Sequence, residues 1–380
     1  MHATYRCWAE IDLEALRDNL GWIRHRVGPD VKVMTVVKAD AYGHGLKQIA
    51  ALLMQSGTDI FGVANLREAE SIRSVGEGWP ILMLGSCLPH EVSLAIRDGI
   101  HPTISCFEEA AEFSKAASRL GKTVQAHLKV DTGMGRLGAL PEQVTGLVSR
   151  VAALPHLQLA GLFTHFANSE DSAQYTRRQI RLFRDVLKSV HALGISVPSV
   201  HCCNSGGLLH ELDSCFNLVR PGLLVYGIIP PGKRQAPKAL EVRLRPALSL
   251  KCRVTLAREL SPGTSISYGC TYRTKRKARV AVLSAGYGDG YPRAGSNRGF
   301  ALVRGQRCPI LGRITMDQMI VDVSKLSEVA RGDEAVLIGR QGKDCISASE
   351  AAGWCGTIPW EMLTNITYRV PRLYLGGVAS

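Results

Sequence analysis

The 380-residue sequence is short of several features that would direct a reading elsewhere. No stretch approaches the roughly 18 apolar residues that cross a bilayer as a helix. The start, Met1 to Ile11, lacks the basic cluster and apolar run of a secretory leader. Both absences point to a cytoplasmic protein without a membrane partner. The 11 cysteines are an odd number, contain no CxxC spacing, and place Cys202 beside Cys203. A disulfide scaffold or a zinc site needs better spacing, so reduced, mostly buried thiols and no metal are expected. Acidic residues are in deficit: 33 Asp and Glu stand against 46 Lys and Arg, a formal net charge of +13. The densest basic run, Arg273 to Arg279 (RTKRKAR), has no interleaved aromatics and no nucleic-acid module around it. It reads as a solvated strand or hairpin rather than a nucleic-acid surface. The charge also suits an anionic small molecule.

What is present is ordinary for a soluble chain, with 46% hydrophobic and 21% charged residues. The length suggests two domains, or a barrel with an appendage. Short apolar runs alternate with helical patterns over the first two-thirds: Val31 to Val37, Ile60 to Ala64, Ile81 to Gly85, His101 to Ser105, Val124 to Val130, Leu159 to Phe166, Ser199 to Cys203 and Leu218 to Tyr226. Between them, Leu46, Ile49, Ala50 and Leu53, and again Ile180, Phe183, Leu187 and Val190, fall on one helix face. Eight strands separated by helices predict an α/β fold, a (β/α)8 barrel, over residues 1–240. Pro230-Pro231-Gly232 is a breaker. The segments that follow (Ala247 to Leu256, Ala278 to Leu283, Phe300 to Val303, Met319 to Val323 and Ala335 to Ile338) predict a mostly β C-terminal domain over 241–380, with a brief helix near Ser347 to Trp354.

Working residues of such a barrel sit at the C-terminal ends of its strands. Lys38 ends the first, Lys129 and Asp131 the fifth, and His165 the sixth. Asn204-Ser205-Gly206 ends the seventh, and Arg220-Pro221-Gly222 lies in the eighth. The loops after the last two strands of a barrel often hold a phosphate. Ser205 offers a hydroxyl there, and Gly206 and Gly222 let backbone N–H groups approach an anion.

VVKADAYGHG, from Val36 to Gly45, resembles the cofactor-lysine segment of alanine racemases. HLKVDTGMGRLG, RPGLLVYG, SYGCTY, AGYGDGYPR and GRITMDQMIVDV are similar to that family's further motifs, in its order and at similar spacing. The resemblance spans nearly the whole chain. It implies a fold-type III barrel that binds pyridoxal 5'-phosphate (PLP), followed by a β domain, and a homodimer that interconverts L- and D-alanine by a two-base mechanism. D-alanine for the bacterial cell wall is the family's usual product, and L-alanine catabolism is equally compatible.

The resemblance also implies roles. Lys38 forms the Schiff base with PLP, a task that needs a primary amine. Tyr42, Ser205 and the backbone around Gly222 hold the phosphate, while Leu84, Asn204 and Leu223 line the cofactor. Arg220 donates to the pyridine nitrogen. It has no acceptor, so that nitrogen stays unprotonated and the ring is a weaker electron sink. Arg136 and the Met316 N–H hold the substrate carboxylate. Lys129 matches a position often carbamylated in the family; the alternative is a plain lysine beside an acid or bound anion. Tyr268 is the second base, supported by His165 and Arg220.

One position departs from the pattern. Trp360, before Glu361, stands where most members carry a tyrosine that donates to the phosphate and lines the entry. Its indole N–H and bulk change both. Other readings are a serine or broad-spectrum racemase, a non-catalytic PLP-binding protein and a fold-type III decarboxylase. Residues 241–380 and Tyr268 argue against the second, and the lack of a GGG triplet against the third.

Overall fold

The computed structural model describes residues 5–235 and 243–376, so the expected boundary at 240/241 lies outside the described residues. The chain divides into two units. One comprises residues 17–41 and 45–245; the other comprises the N-terminal residues up to Leu16, residues 42–44, and the chain from Pro246 onward.

The first strand, β1 (Cys7–Asp12), belongs to the second unit. The eight expected apolar runs form the strands of the first: β2 (Lys32–Val36), β3 (Ile60–Val63), β4 (Ile81–Met83), β5 (Ile100–Ile104), β6 (Val124–Lys129), β7 (Leu157–Phe163), β8 (Ser199–His201) and β9 (Leu218–Val219). All are parallel, in the order β8-β7-β6-β5-β4-β3-β2-β9. Just beyond β9 and β8, which end this order, Arg220 N–H donates to Cys203 O at 2.8 Å. The result is a nearly closed eight-stranded barrel. Parallel strands covered by helices read as continuous apolar runs rather than alternating ones. Met34, Ile60, Leu82 and Leu218 pack together, with Leu84 against them; burying each such side chain contributes about 1.5–3 kcal/mol. The helix Leu46–Gln55 buries Leu46, Ile49, Ala50 and Leu53, as its spacing predicts. On helix Ala173–Ala192 the buried residues include Ile180, Phe183, Val186 and Val190, with Val186 rather than Leu187 turned inward.

The second unit is a nine-stranded sheet. Its strands after β1 are β10 (Leu248–Leu260), β13 (Ala278–Leu283), β14 (Phe300–Val303), β15 (Gln306–Pro309), β16 (Met319–Asp322), β17 (Glu334–Gln341), β18 (Asp344–Ile346) and β19 (Arg372–Leu375); β11 (Ser265–Ile266) and β12 (Tyr272–Arg273) pair separately. Leu248, Leu250, Cys252 and Val254 alternate inward along β10, the period of a strand with one buried face. β1 runs antiparallel to β10 and parallel to β19. The N-terminal strand, which the sequence reading placed with the barrel, thus belongs to this sheet. The helix expected near Ser347 spans Ala348–Cys355, capped by the Ser347 side chain. The basic run Arg273 to Arg279 ends β12 and enters β13, with Lys275, Arg276 and Lys277 exposed in the link. All 11 cysteines are free. Among the described residues no helix is long and apolar enough to cross a membrane, and no group of metal-ligating side chains gathers.

Candidate active site

The C-terminal ends of the barrel strands gather the cationic residues singled out above. Lys38 follows β2, separated from it by Val37. From there the backbone turns left-handed, with φ of +52° at Ala39, +55° at Asp40, +52° at Ala41 and +53° at Tyr42. A left-handed turn costs an L-residue roughly 1–2 kcal/mol each, so the surrounding structure must hold it. The Ala41 N–H donates to Val37 O at 2.9 Å, and Asp40 accepts from Gly45 N at 3.0 Å through its carbonyl and from Leu46 N at 2.7 Å through Oδ1. Burial holds the Lys38 amine below the ordinary lysine range; Arg136 adds to this and Glu68 opposes it.

Lys129 ends β6 and is 2% exposed. Burial first, then the charges of Arg136 and Arg220, bring its amine down to about 8. Its Nζ stands 5.6 Å from the centre of the Phe163 ring, and the Arg220 guanidinium carbon 5.2 Å from the same centre. An aromatic face attracts cations at this range. The loop carrying Arg136 is shaped by Asp131, whose Oδ1 accepts from Gly133 N at 2.9 Å and Met134 N at 2.7 Å, and whose Oδ2 accepts from Arg136 N at 3.1 Å.

Arg220 is buried, and its two terminal nitrogens donate to barrel acceptors. Nη2 donates to Thr164 O at 2.7 Å, Cys202 O at 3.0 Å and His165 Nδ1 at 3.2 Å; Nη1 donates to His201 Nδ1 at 2.6 Å. His201 in turn meets His127 Nδ1 at 3.0 Å. Gly161, on β7 between the strands of these two histidines, has no room for a Cβ: it would collide with the His127 ring. His127, His201 and Thr164 were not singled out from sequence. A lone histidine on an apolar strand reads as core, and only the missing side chain at Gly161 hints at what crosses it.

Beyond β8, Asn204 caps the short helix Ser205–His210 by accepting from Gly207 N at 2.9 Å. Ser205 Oγ accepts from Gly222 N at 2.9 Å and Leu224 N at 3.4 Å. That pair leaves the hydroxyl proton for an outside acceptor. Gly206 packs so closely on Ser169 and Glu170 that a Cβ would collide with both. A hydroxyl donor, a closely packed Gly206 and four cations suit a phosphorylated cofactor. Leu223 is buried here, and Leu84 packs on the apolar cluster of the barrel.

The other expected residues belong to the β-sheet unit. Tyr268 is 72% exposed beside a cavity of about 440 Å³ lined also by Arg258, Arg313, Thr315 and Ile320. Met316 is exposed, and its carbonyl accepts from Gly288 N at 2.8 Å. Trp360 is half-buried on helix Pro359–Thr364. Gly43 abuts the Leu363 carbonyl of the same helix so closely that no Cβ fits, and its φ is +81°. Tyr42, just before Gly43, is buried, which pushes its hydroxyl up from the ordinary phenol range.

Known proteins match this arrangement along nearly its full length. Residues 11–230 match the family model described as alanine racemase, N-terminal domain, and residues 247–374 the one described as alanine racemase, C-terminal domain. The chain is 40% identical over 374 residues to an alanine racemase of Halothermothrix orenii, covering 98% of each protein. It is 41% identical to one from Symbiobacterium thermophilum, also over 98% of each. Among solved structures, the alanine racemase of Clostridium difficile 630 superimposes with a TM-score of 0.92 at 34% identity, over 98% of this chain and 96% of that one. One from Bartonella henselae, described with covalently bound pyridoxal phosphate, gives 0.88 at 30% identity, over 98% of this chain and 100% of that one. A barrel with a lysine at its rim, a mostly β second unit and these relatives agree, and the chain belongs to the alanine racemase family.

Proposed function

We propose that this chain interconverts L- and D-alanine with PLP as its cofactor. It works as a homodimer, the barrel unit supplying the cofactor lysine and the β-sheet unit the second base. The observation that most supports this reading is the cationic rim, where Lys38, Lys129, Arg136 and Arg220 cluster around neutral His165. The lowered Lys38 amine suits both a covalent hold on the cofactor and proton abstraction near neutral pH.

When bound, the cofactor supplies an electron-withdrawing system that acidifies the Cα–H of the amino acid joined to it. Ser205, Tyr42 and the amides around Gly222 would hold its phosphate, and Asn204, Leu84, Leu223 and Trp360 would line it. Arg220 would meet the pyridine nitrogen as a donor without acceptor capacity, which would leave that nitrogen its lone pair. The planar fork of Arg136 and the Met316 N–H bind the substrate carboxylate. Lys38 takes the Cα proton of D-alanine. The partner's Tyr268 takes that of L-alanine from the opposite face, because one base would have to cross a rigidly held substrate. Lys129, buried among cations, adds CO2 through its neutral amine and releases one proton, leaving a carbamate that neutralises its neighbours.

Mixing inactive Lys38→Ala chains with inactive Tyr268→Phe chains tests the shared site. Heterodimers carry one site with both bases, so alanine racemisation should return. Subunit exchange without recovered activity overturns a site shared between chains. Borohydride reduction of the holoenzyme should fix a pyridoxyl group on Lys38, and labelling of another lysine overturns that assignment.

A further inference from the structure

Glu68 lies on helix Leu66–Arg73, three residues past its Asn65 cap, whose side chain accepts from Glu68 N at 3.1 Å. One carboxylate oxygen, Oε2, reaches back to accept from Ala64 N at 2.7 Å, just beyond β3. The other, Oε1, crosses to the neighbouring strand exit and accepts from Ala39 N at 2.7 Å. Ala39 follows Lys38 and is the first residue of the left-handed turn. One carboxylate therefore ties the ends of two adjacent barrel strands together at the residue after the lysine.

We propose that Glu68 is a positioning residue for Lys38, clamping Ala39, the first strained residue after the lysine, and setting a negative charge against the cations around the amine. The proposal rests on the reading of Lys38 as a catalytic base. Two short bonds to backbone N–H groups fix the start of a turn that its own residues disfavour. The charged groups acting on or around the amine are Arg136, Lys129, Arg220 and Glu68, with Asp131 acting on Lys129 and neutral His165 beside them. At Lys38, Glu68 opposes Arg136. Its loss leaves Lys38 facing cations, so the amine gives up its proton at lower pH.

Two variants separate reach from charge, both assayed as PLP-loaded holoenzyme. Glu68→Gln keeps the length, but its NH2 group turns a donor toward one of the two N–H groups. Its kcat should fall roughly tenfold or more, and the acid limb of its pH–kcat profile should move to lower pH by about half a unit or more. Glu68→Asp keeps the charge but is one methylene short of spanning both amides. Its kcat should fall similarly with the acid limb close to the wild-type position. Thermal melting and cofactor content are measured alongside. Wild-type kcat and profile in Glu68→Gln overturn the proposal. So does a loss of stability and cofactor content with the acid limb of Glu68→Gln unmoved, which reduces Glu68 to a structural residue. The wild-type rate on alanine tests the functional reading separately, because the proposal is read from ratios to it.

Discussion

Arg220 Nη1 and His201 Nδ1 meet at 2.6 Å. A guanidinium only donates, so His201 Nδ1 must accept and its proton sits on Nε2. That proton points to His127 Nδ1 at 3.0 Å, which fixes the second imidazole in the same tautomer. The cation thus sets the state of two histidines, and they in turn fix its orientation. Replacing His201 with leucine removes one acceptor from a buried charge. The expected loss is about 1.5–3 kcal/mol of stability with weaker PLP retention, read by thermal melting and by cofactor content after gel filtration. An unchanged melting temperature would show that Arg220 finds another acceptor at no cost.

Four histidines on or just beyond the barrel strands are held neutral. Burial is the main cause in each, with Arg73 second for His101, His101 and Arg220 next for His127, and Arg220 second for both His165 and His201. His101 is lowered to about 4 and His127 to about 3. Each binds its proton more weakly folded than unfolded, so the unfolded chain takes up more protons as pH falls. Stability is therefore complete above about 6.5 and declines below it, at about 1.4 kcal/mol per pH unit for each histidine still neutral. Melting temperatures from pH 8 down to pH 4.5, the roughly physiological range and just below, should be flat at first and fall progressively from near pH 6.5. A flat series down to pH 5 would count against the buried neutral set.

Lys129 should carry the carbamate. Its amine, brought down to about 8, is substantially neutral at pH 7.5–8, and only the neutral amine attacks CO2. Holoenzyme equilibrated with 13C-bicarbonate should show one carbamate resonance per chain by NMR, absent from Lys129→Ala. A resonance that persists in that variant places the carbamate elsewhere, and no resonance at all leaves a plain lysine.

Trp360→Tyr should tighten PLP retention, because a hydroxyl on a shorter ring replaces the indole N–H, or widen tolerance for serine over alanine. Helix Pro359–Thr364, which carries Trp360, is also the one whose Leu363 carbonyl Gly43 abuts. If neither PLP dissociation nor the serine-to-alanine ratio of kcat/KM changes, the position is neutral here.

The barrel is legible in the sequence because each buried parallel strand is a short apolar run closed by a polar residue, as Lys129 closes β6. β9 is the least regular: the run suggests Leu218 to Tyr226, but the strand is only Leu218–Val219. Pro221 has no N–H for the ladder, and the chain turns at Gly222. The left-handed turn is not legible, because Lys-Ala-Asp-Ala is helix-compatible and its handedness is imposed by partners remote in sequence, such as Glu68. Nor is the placement of β1. Its sequence, CWAEID, alternates like any strand, and nothing local says that its neighbours are β10 and β19. The cation set at the rim follows from strand ends. The histidines behind Arg220 do not, because their partners are fixed by the register of strands far apart in the chain.

The pairing of β1 has a consequence for synthesis. Trp8, Ala9 and Ile11 are fully buried in the sheet with β10 and β19. On the ribosome this strand emerges ahead of the barrel strands and its two neighbours only after the whole barrel sequence has been made. During that interval it is an unpaired apolar edge, the kind of segment that chaperones shield and that aggregates when they do not. The barrel strands meet neighbours close behind them in the chain and can assemble as they appear. Translation order therefore makes closure of the second unit the late event and leaves β1 waiting for its partners longer than any barrel strand waits for its own.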